Sequence, residues 1–242
     1  MVEISSNTVL RARRENIELH TADRLTLYGE LATPLDREPQ ATLVTLHPLP
    51  TAGGFMESHI IRKAANRLPE LADLAVLRFN TRGTSSPRGT SEGEFGEGIT
   101  EQHDLAAAMA FVKERSLPHP WLLGWSFGTE LALKYGLAHN IDGAILLSPP
   151  LHRATPEEVA AWQPADPKLV ALIPEFDDYL RPPEAAERFA DVPRMTLIPV
   201  EGGRHLWVGE KQTRRVLDEI VAAVGSAATP LPGEVAAERL QQ

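Results

Sequence analysis

The pentapeptide Gly124-Trp125-Ser126-Phe127-Gly128 has the pattern G-x-S-x-G and lies between two segments of different character. The preceding residues 119–123 are short and apolar, as in a buried strand, whereas residues 129–135 have the composition of a helix. A serine between a strand and a helix occupies a tight, strained turn that pushes its hydroxyl away from the backbone. Glycine is needed on both sides because a side chain there would collide with the neighbouring strand or helix. The pattern predicts that Ser126 is a catalytic nucleophile.

A serine hydroxyl is a poor nucleophile unless a general base activates it, and the base needs an acid that orients it. In proteins with this strand–turn–helix arrangement, the chain order is serine, acid, histidine. Five of the eight histidines precede Ser126, and the next two, His139 and His152, leave too little chain for an acid. His205 is left, in the loop after the strand-like residues 194–200, where such folds carry functional groups. We therefore expect His205 to be the base.

The acid is expected between these two residues, after the apolar strand 169–173, where Asp177 and Asp178 stand side by side. Neighbouring side chains in extended backbone point in opposite directions, so one carboxylate should face His205 and the other should face water or cap the next helix. Counting forward from the end of the strand favours Asp177. Counting backward from Pro182-Pro183 selects Asp178. We prefer Asp177, and both stay candidates.

The backbone N–H groups that would stabilise an oxyanion are expected at two places. One is Phe127, the residue after the nucleophile. The other should lie in the loop after the apolar strand 42–46. Pro48 and Pro50 of that loop carry no N–H group, so Leu49 is the best candidate.

Four further polar residues have a structural interpretation beside a functional one. We interpret His47 as a residue that pins the Leu49 loop by a hydrogen bond. Arg82 has the position to bind an anionic substrate, or to form a salt bridge within its loop. Asp104 lies near the start of a predicted helix, where a carboxylate interacts favourably with the helix dipole, and it could equally pair with Arg78 or Arg82. Glu130 is expected to be structural.

The turn at residues 124–128 is called the elbow below. Three motifs precede it: Leu46-His47-Pro48-Leu49-Pro50 with Gly53-Gly54, then Arg78-Phe79-Asn80-Thr81-Arg82-Gly83, then Ser91-Glu92-Gly93-Glu94-Phe95. With the elbow, they resemble the serine hydrolases of the α/β-hydrolase fold over residues 25–222. More narrowly, the chain is similar to compact bacterial esterases of the dienelactone hydrolase-like group. It departs from many relatives at His47-Pro48, where His-Gly is common, and at Pro174, where glycine is common.

The resemblance implies one set of site residues: Ser126 as nucleophile, His205 as base, Asp177 or Asp178 as acid, and Leu49 and Phe127 as oxyanion donors. It implies no cofactor and no metal. A cysteine nucleophile, as in the dienelactone hydrolases themselves, is excluded because the chain contains no cysteine.

The distribution of apolar segments predicts an α/β fold. An opening hairpin, residues 17–20 and 25–32, precedes six apolar strands that alternate with helical segments. The strands are expected at 42–46, 74–79, 120–124, 141–147, 169–173 and 195–200, and the helices at 56–70, 100–116, 127–138, 183–190 and 209–224. The alternation predicts a mostly parallel sheet of about eight strands with helices on both faces.

Residues 1–225 are predicted to form a single domain with an open site. Residues 149–167, where relatives often insert a lid, are too few for a cap domain and have room for one short helix near 156–162. Residues 81–98 are expected to form a long loop over the same edge of the sheet. Residues 226–242 are expected to form a frayed C-terminal tail.

Composition predicts a soluble enzyme domain. The 242 residues suffice for a substantial core, and a hydrophobic fraction of 43% argues against disorder. Without cysteine, disulfides and thiolate metal sites are excluded. The formal net charge of −9 argues against a nucleic-acid partner, because phosphate binding needs a basic surface. No signal-peptide pattern and no membrane-length apolar run is present, so a cytoplasmic location is expected.

These observations predict a serine hydrolase that cleaves a small-molecule ester through an acyl-enzyme. The preference for esters is implied by the resemblance, so a thioesterase or peptidase with the same triad stays open. The alternative from another class is a non-catalytic ligand-binding or scaffold protein on the hydrolase fold. The sequence gives no prediction of the oligomeric state.

Overall fold

The computed structural model describes residues 1–241 and contains one eight-stranded sheet flanked by helices. The strands are β1 Arg13–His20, β2 Thr26–Thr33, β3 Ala41–Leu46, β4 Leu74–Phe79, β5 Pro120–Trp125, β6 Gly143–Leu147, β7 Lys168–Phe176 and β8 Thr196–Arg204. Their order across the sheet is β8-β7-β6-β5-β3-β4-β2-β1. The order therefore reverses at β3 and β5, and ligand sites in such sheets lie at the carboxyl ends of the strands beside this reversal.

Strands β3 to β8 pair in parallel, whereas β1 and β2 form an antiparallel hairpin that joins the sheet through β2 and β4. Strands β3, β4 and β6 are buried along their whole length. Such burial is typical of parallel strands that are covered by helices on both faces, and it explains why their sequences are continuously apolar.

Within residues 1–241, six α-helices cover the sheet: α1 His59–Ala72, α2 Gln102–Glu114, α3 Phe127–Tyr135, α4 Pro156–Ala160, α5 Pro182–Arg188 and α6 Glu210–Val224. Helices α1 and α6 pack with one apolar core, and the other four pack with a second core on the opposite face. Within β3, Leu43 belongs to the first core and Val44 to the second, as the alternation of side chains along a strand requires. The predicted fold class is confirmed.

The segment between β6 and β7 contains one short helix and no cap domain. This helix, α4, begins after Thr155, whose hydroxyl accepts a hydrogen bond from the Glu158 N–H at 3.2 Å. The Glu158 carboxylate in turn accepts the Thr155 N–H at 2.8 Å. This reciprocal capping satisfies two N–H groups that the first turn would otherwise leave unpaired. The edge of the sheet that carries the candidate site therefore has no lid.

Strands β7 and β8 extend past their predicted ends at residues 173 and 200. Pro174 does not end β7, since it still pairs with Val200 of β8. The register of the two strands then shifts between Pro174 and Phe176. A proline is tolerated at such a bulge, where the ladder hydrogen bond that it cannot donate is already interrupted. The loops that carry the candidate acid and base thus begin later than the sequence predicts.

The segment interpreted as a tail lies against the N-terminal residues. Glu234–Val235 pair antiparallel with Val2–Glu3, and the Val235 side chain is buried beside Leu10. The Gln241 N–H donates to the Val9 carbonyl at 2.9 Å. Gln242, the last residue of that segment, lies outside the described residues.

Candidate active site

Ser126 lies at the junction of β5 and α3 with φ 52° and ψ −115°, in the left-handed region that a non-glycine residue rarely adopts. The glycines around it are required by close approaches of backbone. A Cβ atom on Gly124 would lie 2.5 Å from the Gly128 carbonyl oxygen, and one on Gly128 would lie 2.0 Å from the Leu46 carbonyl oxygen. The Ser126 N–H donates to the Leu147 carbonyl at 2.9 Å and fixes the turn against β6.

The structure brings His205 and Asp177 together with Ser126. Nε2 of His205 lies 2.9 Å from the Ser126 hydroxyl oxygen. Nδ1 of the same ring lies 3.0 and 3.2 Å from the two carboxylate oxygens of Asp177. Asp178 does not take part, because its side chain is exposed to solvent. Of the two candidate acids, only Asp177 has the geometry to orient the imidazole.

The Asp177 carboxylate is buried and well supplied with hydrogen-bond donors. Its Oδ1 accepts the backbone N–H groups of Tyr179 at 2.8 Å and Leu180 at 3.2 Å. Burial raises the pKa of Asp177, but the hydrogen bonds from His205 and from these two N–H groups outweigh it and leave the pKa below its ordinary value. Asp177 is therefore ionised at neutral pH.

Hydrogen bonds of the His47 ring hold the Leu49 loop. Nδ1 of His47 donates to the Pro48 carbonyl at 2.7 Å, and its Nε2 accepts the Thr81 N–H at 3.1 Å. Burial lowers the pKa of His47 to about 4, so the ring is neutral at physiological pH. A neutral imidazole with one donor and one acceptor nitrogen satisfies both bonds, which links the loop after β3 to the loop after β4.

The two candidate oxyanion donors differ in how their N–H groups become available. Phe127 is the first residue of α3, so its N–H group has no hydrogen-bond acceptor within the helix. Among residues 1–241, the Leu49 N–H donates no hydrogen bond, whereas the Leu49 carbonyl accepts from Ala52 and Gly54. Leu49 has φ −52° and lies directly before a short 3₁₀ helix, Pro50–Ala52.

Arg82 forms an internal salt bridge. Its guanidinium donates twice to Oδ1 of Asp104, at 2.8 and 3.0 Å, and to both carboxylate oxygens of Asp23. The Arg82 side chain is 5% exposed and Asp104 is fully buried. Of the two interpretations of Arg82, the structure supports the salt bridge. Glu130 is likewise buried, and it accepts the Arg153 N–H at 2.6 Å.

The model of the alpha/beta hydrolase fold family matches residues 42–204, which span β3 to β8 and contain the elbow. The chain belongs to this family. No curated protein matches it.

Solved structures of other α/β hydrolases share the fold. A serine hydrolase homologue from Coxiella burnetii is 22% identical with a TM-score of 0.73, and the match covers 86% of this chain and 96% of that one. A serine hydrolase without a lid from Xanthomonas campestris is 25% identical with a TM-score of 0.71, covering 93% and 100%. An esterase from Pyrococcus furiosus is 18% identical with a TM-score of 0.70, covering 88% and 92%.

A cleft of about 370 Å³ lies between the loops that follow β3 and β4 of this α/β hydrolase, and Ser126, Asp177 and His205 are not part of its lining. Its lining has no ionisable side chain and consists of Pro50, Thr51, Gly53, Gly54, Phe55, Gly83, Thr84, Ser85 and Phe95. The Phe95 ring packs edge-on against the Phe127 ring, with 5.4 Å between their centroids. The cleft therefore lies between the Leu49 loop and the loop after β4, and it suits an uncharged group.

The sequence prediction missed several residues that contact the His205 segment. The half-exposed Tyr179 ring lies 4.7 Å, centroid to centroid, from the His205 ring and covers it from one side. Ser148 and Trp125 donate hydrogen bonds to the His205 carbonyl. Tyr179 has a weak local signal, as an aromatic residue two positions after the candidate acid. Ser148 and Trp125 carry none, because their partner is distant in the chain.

Residues 1–241 contain no group of three or more histidine, aspartate or glutamate side chains arranged to hold a metal ion. Over the same residues, every helix is too short or too polar to cross a membrane.

Proposed function

We propose that this α/β hydrolase cleaves carboxylic esters through a covalent acyl-enzyme. The observation that carries the proposal is the unbroken hydrogen-bonded chain from the Ser126 hydroxyl through His205 to the Asp177 carboxylate, with distances of 2.9 and 3.0 Å. Such a chain can remove the serine proton as the oxygen attacks, and Asp177 can stabilise the imidazolium that results.

In the proposed mechanism, the Ser126 oxygen attacks the ester carbonyl while its proton passes to Nε2 of His205. The N–H groups of Phe127 and Leu49 donate to the oxyanion of the tetrahedral intermediate. The intermediate collapses to the acyl-enzyme as His205 gives the proton to the departing alcohol. Water then attacks the acyl group by the same route, and the acid product leaves Ser126 free.

The neutral cleft reaches the elbow through the contact of Phe95 with Phe127, which supports an uncharged substrate group there. The absence of a cap domain between β6 and β7 supports access from solvent. The net charge of −9 opposes anionic macromolecular partners, so we propose a small-molecule substrate and no nucleic-acid partner. We also propose that residues 1–225 are the catalytic domain and that the protein works in the cytoplasm.

Hydrolysis of p-nitrophenyl esters of increasing acyl length tests the proposal, with thioesters and small amides of matched acyl groups as competitors. Turnover of the esters that Ser126→Ala abolishes supports an esterase. Faster turnover of the thioesters or amides would make the protein a thioesterase or peptidase with the same triad. No turnover and no reaction with a fluorophosphonate would favour the scaffold alternative.

A further inference from the structure

The carbonyl oxygen of His205 accepts two hydrogen bonds from buried side chains. Nε1 of Trp125 donates at 3.2 Å and the hydroxyl of Ser148 donates at 3.1 Å. Trp125 is 2% exposed and Ser148 is 1% exposed, so water does not compete for either bond. A carbonyl with both lone pairs used in this way is fixed in position and in direction.

The loop that follows His205 is anchored as well. The Trp207 N–H closes a turn onto the Arg204 carbonyl at 2.9 Å, and its indole is completely buried. Trp207 has φ 51°, a left-handed conformation that costs about 1 kcal/mol or more and persists only where the surroundings impose it. The Trp207 carbonyl accepts from Nε2 of His59, at the start of α1, at 3.2 Å.

One short segment at the end of β6 contacts both the nucleophile and the base. The Leu147 carbonyl accepts the Ser126 N–H, and the next residue, Ser148, holds the His205 carbonyl. Ser148 itself has φ 50°, and its N–H donates to the Leu172 carbonyl of β7 at 3.1 Å. Two adjacent residues, Leu147 and Ser148, thus connect the backbone of Ser126 with the backbone of His205.

We propose that Ser148 and Trp125 are positioning residues, which hold the His205 backbone so that its ring reaches Ser126 and Asp177 at once. The inference rests on the proposed function, because it assigns these residues a part in the same reaction. A displacement of about 1 Å at a catalytic group is enough to slow a reaction by about a hundredfold. Removal of one of the two hydrogen bonds should displace the His205 loop by less than this distance of about 1 Å, so we expect it to lower kcat by about tenfold.

The test compares Ser148→Ala and Trp125→Phe with the control Thr42→Ala. Thr42 is fully buried near the amino end of the central strand β3, and its hydroxyl donates to the Pro118 carbonyl at 2.8 Å, so the control loses the same kind of bond at the opposite end of the parallel strands from the candidate site. Each variant is assayed for kcat, KM and melting temperature. In addition, the Nδ1–H proton of His205 is observed by NMR with ¹⁵N-labelled histidine, since its resonance reports the bond to Asp177 without turnover.

The proposal predicts that Ser148→Ala and Trp125→Phe lower kcat by about tenfold, leave KM within about twofold, and broaden or remove the Nδ1–H resonance. Thr42→Ala should lower the melting temperature but keep kcat and the resonance. Unchanged kcat and resonance in Ser148→Ala, or an equal loss of kcat in Thr42→Ala, would overturn the proposal. If the wild type hydrolyses no ester, the proposed function fails, but the Nδ1–H resonance still tests the positioning role. A resonance that is present in the wild type and in Thr42→Ala and lost in Ser148→Ala supports that role. A resonance that is already absent in the wild type contradicts the role.

Discussion

Asp177 and His205 form a buried pair in which both carboxylate oxygens lie within 3.2 Å of Nδ1, while the adjacent Asp178 faces solvent. We expect Asp177→Asn to lower kcat by about 10⁴-fold, because the amide no longer fixes the tautomer of His205. Asp178→Asn is the matched control and should keep its rate. Steady-state kinetics of the two variants, with circular dichroism to verify the fold, separate the two residues. A collapse of kcat in Asp178→Asn with normal activity in Asp177→Asn would reverse the assignment.

The choice between the two aspartates illustrates what could not be predicted from the sequence. Counting along the chain assumes that β7 ends at residue 173 and that the side chains alternate after it. In the structure β7 continues to Phe176, with a shift of register after Pro174. A bulge redirects the side chains that follow it, and nothing in the local sequence announces one. Counting forward from residue 173 therefore selected Asp177, although β7 does not end at residue 173.

The elbow, by contrast, was predictable because its requirements are local. A Cβ atom on Gly124 would collide with the backbone of Gly128, four residues later, and one on Gly128 would collide with the backbone of Leu46 on the adjacent strand. The flanking segments also have the apolar composition of a strand and the composition of a helix. The contacts of the His205 carbonyl are not local, since they join positions 57 and 80 residues apart in the chain. Only the three-dimensional packing of β5 and β6 reveals them.

The φ of Leu49 allows a substitution by proline that removes its N–H group. Leu49 has φ −52°, within the range of proline, and its N–H has no partner among residues 1–241. We expect Leu49→Pro to lower kcat by about 10²- to 10³-fold, the usual loss for one oxyanion donor. Leu49→Ala keeps the N–H and should lose far less. Equal rates for the two variants would mean that the Leu49 N–H does not contact the oxyanion.

The stability of the protein should depend on pH through His47. Its pKa is lowered by burial to about 4, from 6.5 in an exposed ring. Between these values the unfolded chain binds a proton at this position and the folded protein does not, so the free energy of unfolding falls as the pH falls from 6.5 to 4. Urea unfolding across this range should show a shallower decrease for His47→Asn than for the wild type. Parallel curves would contradict the buried, neutral state of the ring.

The Arg82 salt bridge should affect stability and not substrate binding. We expect Arg82→Gln to lower the free energy of unfolding by about 3 kcal/mol, because Asp104 would stay buried without its partner. The control is Arg115→Gln, which breaks an exposed pair with Glu15 and should cost less than about 1 kcal/mol. Chemical denaturation measures both values. A selective rise of KM for anionic esters in Arg82→Gln, without loss of stability, would instead support substrate binding by Arg82.

Two measurements, the activity of Ser126→Ala and the chemical labelling of Ser126, test the central claim that Ser126 is the nucleophile. Ser126→Ala should fold normally and lose about 10⁶-fold in kcat, because the members of a triad act as a unit. Its melting temperature should stay close to that of the wild type. An ester hydrolase activity that survives this substitution would belong to another site.

The most direct measurement is the site of reaction with a fluorophosphonate, found by peptide mapping and mass spectrometry. Ser126 should displace fluoride from the reagent through its activated oxygen, so a single adduct is expected on the peptide that contains Ser126. The adduct should be absent from Ser126→Ala and strongly slowed in His205→Ala. An adduct on Ser85, Ser86 or Ser148, or no adduct on the folded wild-type protein, would contradict the account.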